Sequence, residues 1–169
     1  VKCNLLRLMF IRNVSILEEK AYGAAVRHID RRRRINIMSI TWKYKIDLKD
    51  KAVFEKIEKN RGIIIPDDLK MLIEQANAAT PSLYKYMLGS TEKTLGAILS
   101  FNEDDEDVDL VYTALDDIDE KNYFPFGIDA FGDYICLDLT DDTVTLWSHE
   151  ENKFYRTNKT LKEFLDSLY

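Results

Sequence analysis

Cysteine, histidine, glycine and proline are all scarce in this sequence, and each scarcity narrows what the protein can do. The two cysteines, Cys3 and Cys136, are too few for a disulfide framework and lack the spacing of paired metal ligands, which suits a reducing cytoplasm. Two histidines, six glycines and three prolines leave little material for a metal site, a phosphate-binding loop or a catalytic triad. Composition therefore argues against most classes of enzyme, and we expect no cofactor and no bound metal.

Long hydrophobic runs are also missing. The one continuous apolar patch near the start, residues 5–11, contains Arg7 and is far shorter than the roughly 18 to 20 apolar residues of a membrane-spanning helix. It fits a secretory signal equally poorly, because a cation lies in its middle. We therefore expect a cytoplasmic protein with no membrane partner.

Apolar side chains are nevertheless sufficient for a core. Hydrophobic residues make up 46% and charged residues 32% of the 169 residues, a balance typical of a folded, soluble domain rather than a disordered chain. The length fits one compact domain, or one domain with an appendage.

Charge is distributed unevenly along the chain. The first 37 residues contain nine Lys or Arg against three acidic residues, a formal charge of +6. The remaining 132 residues contain 15 basic and 27 acidic side chains, a formal charge of −12. The overall charge of −6 therefore combines a basic arm with a strongly acidic body.

The basic arm contains four consecutive arginines at positions 31–34. Such a run could bind nucleic acid or an anionic membrane, because guanidinium groups release counterions from phosphate; a solvated linker is the simpler interpretation, and we expect no direct nucleic-acid contact. A third hypothesis is that purine-only arginine codons here belong to a ribosome-binding site upstream of Met38. We therefore expect residues 1–37 to be a non-native upstream extension or disordered, and residues 38–169 to form a single domain.

The periodicity of the body predicts helices at both of its ends. Residues 50–60 place apolar side chains at helical spacing, and Gly62 follows as a stop. Pro66 and two carboxylates begin a second helix that runs to about Asn77. Residues 160–168 form a closing helix, whose start is marked by the capping box of a threonine and a glutamate three residues later.

The region between these helices has the alternation of an antiparallel sheet. Along residues 133–139 apolar side chains occupy every second position, which predicts one fully apolar face. Candidate strands, separated by short polar turns, are 84–88, 96–101, 123–128, 133–139, 143–148 and 153–156. The pattern predicts an α+β fold, in which an antiparallel meander is packed by N-terminal helices and a C-terminal helix.

A dense acidic run occupies residues 103–109, where six of seven positions are carboxylates. Mutual repulsion predicts an exposed loop. The loop could serve only solubility, or it could be an electrostatic face for a basic partner. Calcium binding is disfavoured, because the EF-hand spacing with its central glycine is absent.

Two arrangements could carry chemistry in the body. His149 and Glu150 could form an acid–base pair, although a polar dipeptide at the end of a strand is the simpler interpretation. Cys136 could be a nucleophile assisted by His149, but it lies in an apolar strand, where a thiol usually acts as a small inert hydrophobe. We favour the structural interpretation of both and predict no catalytic residue.

One stretch resembles a known family. Residues 124–138 read Phe-Pro-Phe-Gly-Ile-Asp-Ala-Phe-Gly-Asp-Tyr-Ile-Cys-Leu-Asp, which is similar to the strand–turn–strand signature of the SUKH superfamily of Smi/Knr-type proteins. The segment from Gly62 to Asn77 resembles the opening of that family. The similarity covers about residues 46–169. Two departures are Ile65 in place of a leucine and alanines in place of the glycines after Asn77.

The resemblance implies an α+β domain with no known enzymatic activity. In bacteria such domains are largely immunity proteins that neutralise polymorphic toxins, often nucleases, and fungal relatives regulate cell-wall synthesis. An acidic body fits the first role, because the cleft of a nuclease must be basic to hold phosphate.

We therefore predict a cytoplasmic immunity protein that binds a cognate protein toxin by stoichiometric occlusion. A regulatory scaffold or ligand-binding module is the alternative, and a homodimer stays open. The carboxylates predicted to contact the partner are Asp104, Asp105, Glu106, Asp107, Asp129, Asp141 and Asp142.

Overall fold

The computed structural model describes residues 40–169; the predicted basic arm and the proposed start at Met38 lie outside these residues. Four helices occur in the described part: α1 Ala52–Arg61, α2 Asp67–Ala76, α3 Val111–Asp117 and α4 Leu161–Asp166. The strands are β1 Trp42–Lys43, β2 Thr80–Pro81, β3 Lys85–Leu88, β4 Thr91–Thr94, β5 Ala97–Ile98, β6 Tyr123–Ile128, β7 Tyr134–Asp138, β8 Thr143–Ser148 and β9 Lys153–Thr160. None of the helices within 40–169 has the length and apolar character to cross a bilayer.

The main sheet is a five-stranded antiparallel meander in the order β5-β6-β7-β8-β9. Two small antiparallel pairs, β1 with β2 and β3 with β4, complete the strands of the described residues. The predicted α+β fold is confirmed. β6 and β8 have the predicted bounds, whereas β9 continues beyond residue 156, because two extra residues bulge out of β9 and its pairing with β8 resumes where Thr160 lies opposite Thr143.

Several short elements were not predicted from the sequence. β1, β2 and β4 contain two to four residues each, and α3 contains seven residues without a side-chain cap at its start. The predicted strand 96–101 is reduced to β5, because Ser100 turns to pair with Leu110 instead. Elements of this length have too few residues to show a period.

The ends of the predicted helices follow from local chemistry. Gly62 adopts a φ of +67° and donates its backbone N–H to the Glu58 carbonyl, which ends α1. At the start of α4, Thr160 and Glu163 form the predicted capping box. The buried stripe of α4, which includes Phe164 and Leu165, then packs into the core.

The central strand β7 is buried along its whole length. Ile135 and Leu137 form the predicted apolar face, and the opposite face is buried as well. There the ring of Tyr123 stacks on that of Phe154 with centroids 3.7 Å apart, although these residues belong to β6 and β9. In the sheet, β7 and β8 lie between β6 and β9, so the stacked rings bridge these two strands on the face that carries Cys136 and help to cover it.

Candidate partner-binding surface

Ten carboxylates and no lysine or arginine occur in residues 103–120, which we call the acidic segment. It comprises the loop that was identified from the sequence, α3, and the turn that leads into β6. The acidic run predicted from the sequence ends at residue 109 and leaves out the second half of the segment. The signal that could have extended it is the absence of any basic residue between Lys93 and Lys121.

Asp105 is a buried anchor within this segment. Its side chain is only 5% exposed and lies 3.0 Å from Lys49 Nζ. The Ser100 hydroxyl donates a hydrogen bond of 2.6 Å to Asp105 Oδ2, and the Asn102 amide donates one of 2.9 Å to the same oxygen. Burial opposes ionisation of this carboxyl, but the three donors outweigh burial and hold its pKa below the ordinary value.

A buried polar network fixes the residues that begin the acidic loop. Asn77, which is 1% exposed, accepts a hydrogen bond of 2.8 Å from the Phe101 backbone N–H and donates to Ser100 Oγ at 3.3 Å. Asn102 accepts from the Lys49 backbone N–H at 2.9 Å. The loop is therefore tied to the turn after α2 and to the segment before α1, and its backbone is held before any partner arrives.

Ala78 lies in that turn with a φ of +57°, in the left-handed region that glycine adopts without steric cost. This is one of the two positions after Asn77 where the SUKH pattern usually has glycine. The backbone keeps the tight turn, and Ala78 is therefore strained in it.

The second half of the acidic segment is fastened to α1. Arg61, in the last turn of α1, donates hydrogen bonds of 2.8 Å to the Leu115 carbonyl and 3.0 Å to the Ile118 carbonyl. Carboxylates at the C-terminal end of a helix oppose its dipole, and this guanidinium supplies positive charge at that end of α3. The Tyr134 hydroxyl donates a 2.8 Å hydrogen bond to Asp117.

Six carboxylates of the acidic segment are exposed and have no partner for their side chains among the described residues. They accept no hydrogen bond and form no ion pair within residues 40–169: Glu106, Asp107, Asp109, Asp116, Asp119 and Glu120. Asp104 is also exposed, but its carboxylate is bound by Lys49 Nζ at 2.8 Å. The surface is therefore negative and only partly neutralised from within the fold.

Asp129 serves the turn between β6 and β7. The residue is 5% exposed, and its Oδ1 accepts hydrogen bonds from the backbone N–H groups of Phe131 and Asp133, at 2.7 and 3.0 Å. This is an Asx-type turn, in which a side chain replaces a backbone acceptor. Phe131, which is 76% exposed, lies at the tip of the turn that Asp129 holds.

The turn between β7 and β8 lies at the other end of β7 from Asp129. There Asp141 is exposed, but its carboxylate is paired with Arg156, which also binds the buried Asp138. Asp142 is exposed in the turn with a φ of +56°. The structure thus separates Asp129 from Asp141 and Asp142, and contact of all these residues with a partner stays a prediction.

His149 and Cys136, the two residues considered for chemistry, have different surroundings in the structure. His149 Nδ1 lies 2.9 Å from Asp133 Oδ1, so its partner is this carboxylate and not Glu150. Cys136 is fully buried, its thiol faces the Tyr134 carbonyl at 3.9 Å, and burial raises its pKa well above the ordinary value.

A comparison with protein families matches residues 50–167 to the SMI1 / KNR4 family (SUKH-1). The chain belongs to this family. The match covers all four helices of the described residues and the whole acidic segment. A search of curated proteins finds no relative that matches. For this SMI1/KNR4-type domain, the family supports a role in protein binding, and the geometry of the acidic segment shows which carboxylates are exposed for such a role.

Proposed function

We propose that this protein is an immunity protein, which acts in the cytoplasm by binding a cognate toxin and covering its active site. Membership of the SMI1/KNR4 (SUKH-1) family supports a binding role. The observation that carries the proposal is the acidic segment, with its six exposed carboxylates that have no partner within residues 40–169.

Electrostatics favours a toxin that acts on nucleic acid. A nuclease holds a polyanion, so the walls of its cleft are basic. A domain of formal charge −12 over residues 38–169 attracts such a cleft over a distance of about a Debye length, roughly 8 Å at physiological ionic strength. Complementary charge of this kind accelerates association and disfavours acidic partners.

The preorganised loop adds to this argument. Asp105, Asn102 and Asn77 hold the backbone of the loop through hydrogen bonds of 2.6–3.1 Å, so little conformational entropy is lost when a partner binds. We propose that Asp104, Glu106 and Asp107 contact the toxin from this loop and that the carboxylates at the end of α3 extend the contact.

We propose further that the protein neutralises its partner without catalysis. The thiol of Cys136 is buried and its pKa is raised, and the His149 imidazole is held by Asp133. These contacts support structural roles for both side chains. Neutralisation then requires one immunity protein for each toxin molecule.

The test is co-expression with the toxin encoded by the adjacent gene, followed by measurement of association and dissociation rates for the purified pair. Reversal of two unpartnered carboxylates, Glu106→Lys with Asp119→Lys, is expected to weaken binding at least about tenfold at low salt, mainly through slower association. The matched control is Glu55→Lys with Glu150→Lys, which changes the net charge equally at two exposed carboxylates outside the acidic segment.

Three outcomes contradict or redirect the proposal. Persistent toxicity without a complex rejects the immunity function. Equal weakening by the test and control pairs shows that net charge, and not the acidic segment, drives association. Recovery of several unrelated partners in place of one toxin supports the alternative, a regulatory scaffold or ligand-binding module.

A further inference from the structure

An open groove of about 560 Å³ lies where the end of α1 meets the start of β6 and the end of β7. Its apolar lining comes from Ile63, Ile64 and Leu139. The charged residues that line it are Lys59, Lys121 and Glu58, whose carboxylate is paired with Lys70 outside the lining. Ile64 is 81% exposed, which is unusual for a branched aliphatic side chain. We call this feature the Ile64 groove.

The exposed side chain of Ile64 is held on a rigid backbone. The Ile63 N–H donates to the Glu58 carbonyl at 3.2 Å, and the Ile65 N–H donates to the Glu58 carboxylate at 2.8 Å. Ile65 itself is 1% exposed, and Lys70 pairs with the same carboxylate at 2.7 Å. Ile64 is therefore fixed between two anchored neighbours, so a partner that covers it orders little additional backbone.

The Ile64 groove is continuous with the acidic segment. Arg61, which immediately precedes the connector that lines the groove, binds the carbonyls of Leu115 and Ile118 at the end of α3. Lys121 lines the groove and directly follows Glu120, the last carboxylate of the acidic segment. A depression that is apolar in part therefore borders a surface with strong negative charge, as the core of an interface borders its charged rim.

This inference rests on the proposed function and specifies the chemistry of the partner. We infer that the toxin inserts one uncharged apolar side chain into the Ile64 groove and that basic residues beside this anchor face the carboxylates of residues 116–120. Lys59 and Lys121 disfavour a lysine or arginine as the anchor itself, because like charges repel. Their methylene chains can extend the apolar contact while their ammonium groups stay in water.

The test compares the binding of purified toxin, the one encoded by the adjacent gene, to four forms of the protein by calorimetry. Ile64→Ser is expected to weaken the affinity about tenfold or more, since a buried apolar anchor is typical of an interface hot spot. Ile64→Leu restores apolar volume and is expected to retain affinity within about threefold. Phe131→Ser is the matched control, because Phe131 is also highly exposed but lies at the opposite end of β7.

The outcomes separate this inference from the function on which it rests. Weak binding by Ile64→Ser alone supports the groove as the anchor site. If Ile64→Ser binds the toxin with wild-type affinity, the inference that the groove is the anchor site is overturned, and the immunity function is left intact. Equal losses in Ile64→Ser and Phe131→Ser also overturn it. Failure of the unmodified protein to bind rejects the proposed function itself. Melting temperatures check that the substituted side chains, all exposed, leave the fold unchanged.

Discussion

Replacement of Asp105 by alanine is expected to destabilise the whole domain, although this residue lies in a run of carboxylates that resembles an ordinary solvated loop. The substitution removes the acceptor for Ser100 Oγ and Asn102 Nδ2 and the ion-pair partner of Lys49. A buried donor left without an acceptor costs about 1–3 kcal/mol. Lys49 is half exposed and regains water, so the loss of its ion pair with Asp105 adds little to this cost.

The two buried donors therefore set the magnitude. Both keep other contacts: Ser100 Oγ still accepts from the Asn77 amide and the Asn102 backbone N–H, and the Asn102 amide still donates to the Asp47 carbonyl. We expect a loss of about 2–4 kcal/mol in the free energy of unfolding for Asp105→Ala. In a domain of this size that loss lowers the melting temperature by roughly 6–16 °C.

Urea denaturation followed by tryptophan fluorescence measures this loss, and Glu106→Ala is the matched control. Glu106 is the next carboxylate in the run, is exposed, and has no partner within the described residues, so its removal is expected to change stability by less than about 0.5 kcal/mol. Asp105→Asn, which keeps one carbonyl acceptor, is expected to fall between the two.

The pH dependence provides a second measurement. Because the pKa of Asp105 is lower in the folded protein than its ordinary value of 3.8, its contribution is complete above that value and is lost as the pH falls through the folded pKa. The difference between wild type and Asp105→Ala should therefore be constant between about pH 5 and 7 and shrink below about pH 4. Equal stability of Asp105→Ala and Glu106→Ala at neutral pH would refute the role of Asp105 as a buried anchor.

Three further outcomes are expected from local features of the fold. Ala78→Gly should raise the free energy of unfolding by up to about 1 kcal/mol in urea titrations, because alanine is strained at this positive φ. Ala79→Gly is the control, because Ala79 is buried next to it with an ordinary φ, and this substitution should lower the free energy of unfolding. A stabilising Ala79→Gly with a destabilising Ala78→Gly would contradict the strain. Thr160→Ala removes the capping box of α4 and should cost about 1 kcal/mol by the same assay. In a Cys3→Ser background, a thiol reagent should modify the buried Cys136 only after unfolding; rapid labelling of the native protein would show that the aromatic cover opens.

Local sequence patterns were enough to predict the main elements. Strand-forming runs bounded by short polar turns predicted β6 and β8 with their observed bounds, because strand and turn signals act within a few residues. Thr160 with Glu163, and Gly62, marked helix ends correctly, because a cap depends on residues within one turn. The family resemblance rested on such local signatures and was confirmed over residues 50–167.

The roles of individual carboxylates depended on distant partners. Nothing in the run from residue 103 to 109 distinguishes Asp105 from Glu106, yet Asp105 is buried because Lys49, Ser100 and Asn102 surround it. Asp129 likewise could not be recognised as a buried turn residue from its charge. The fastening of the end of α3 to α1 by Arg61 likewise depends on residues far apart in the chain.

The sequence by itself determined the fold class, the order of the main elements, the family and the negative charge of the body, since these follow from composition and from periodicities of a few residues. Only the tertiary structure decided which carboxylates face solvent, what covers the second face of β7, and that Ile64 borders the acidic segment. These properties arise from contacts between residues far apart in the chain, such as Lys49 with Asp105 and Arg61 with Leu115. Whether a charged side chain is buried is settled by the donors that the folded chain brings to it.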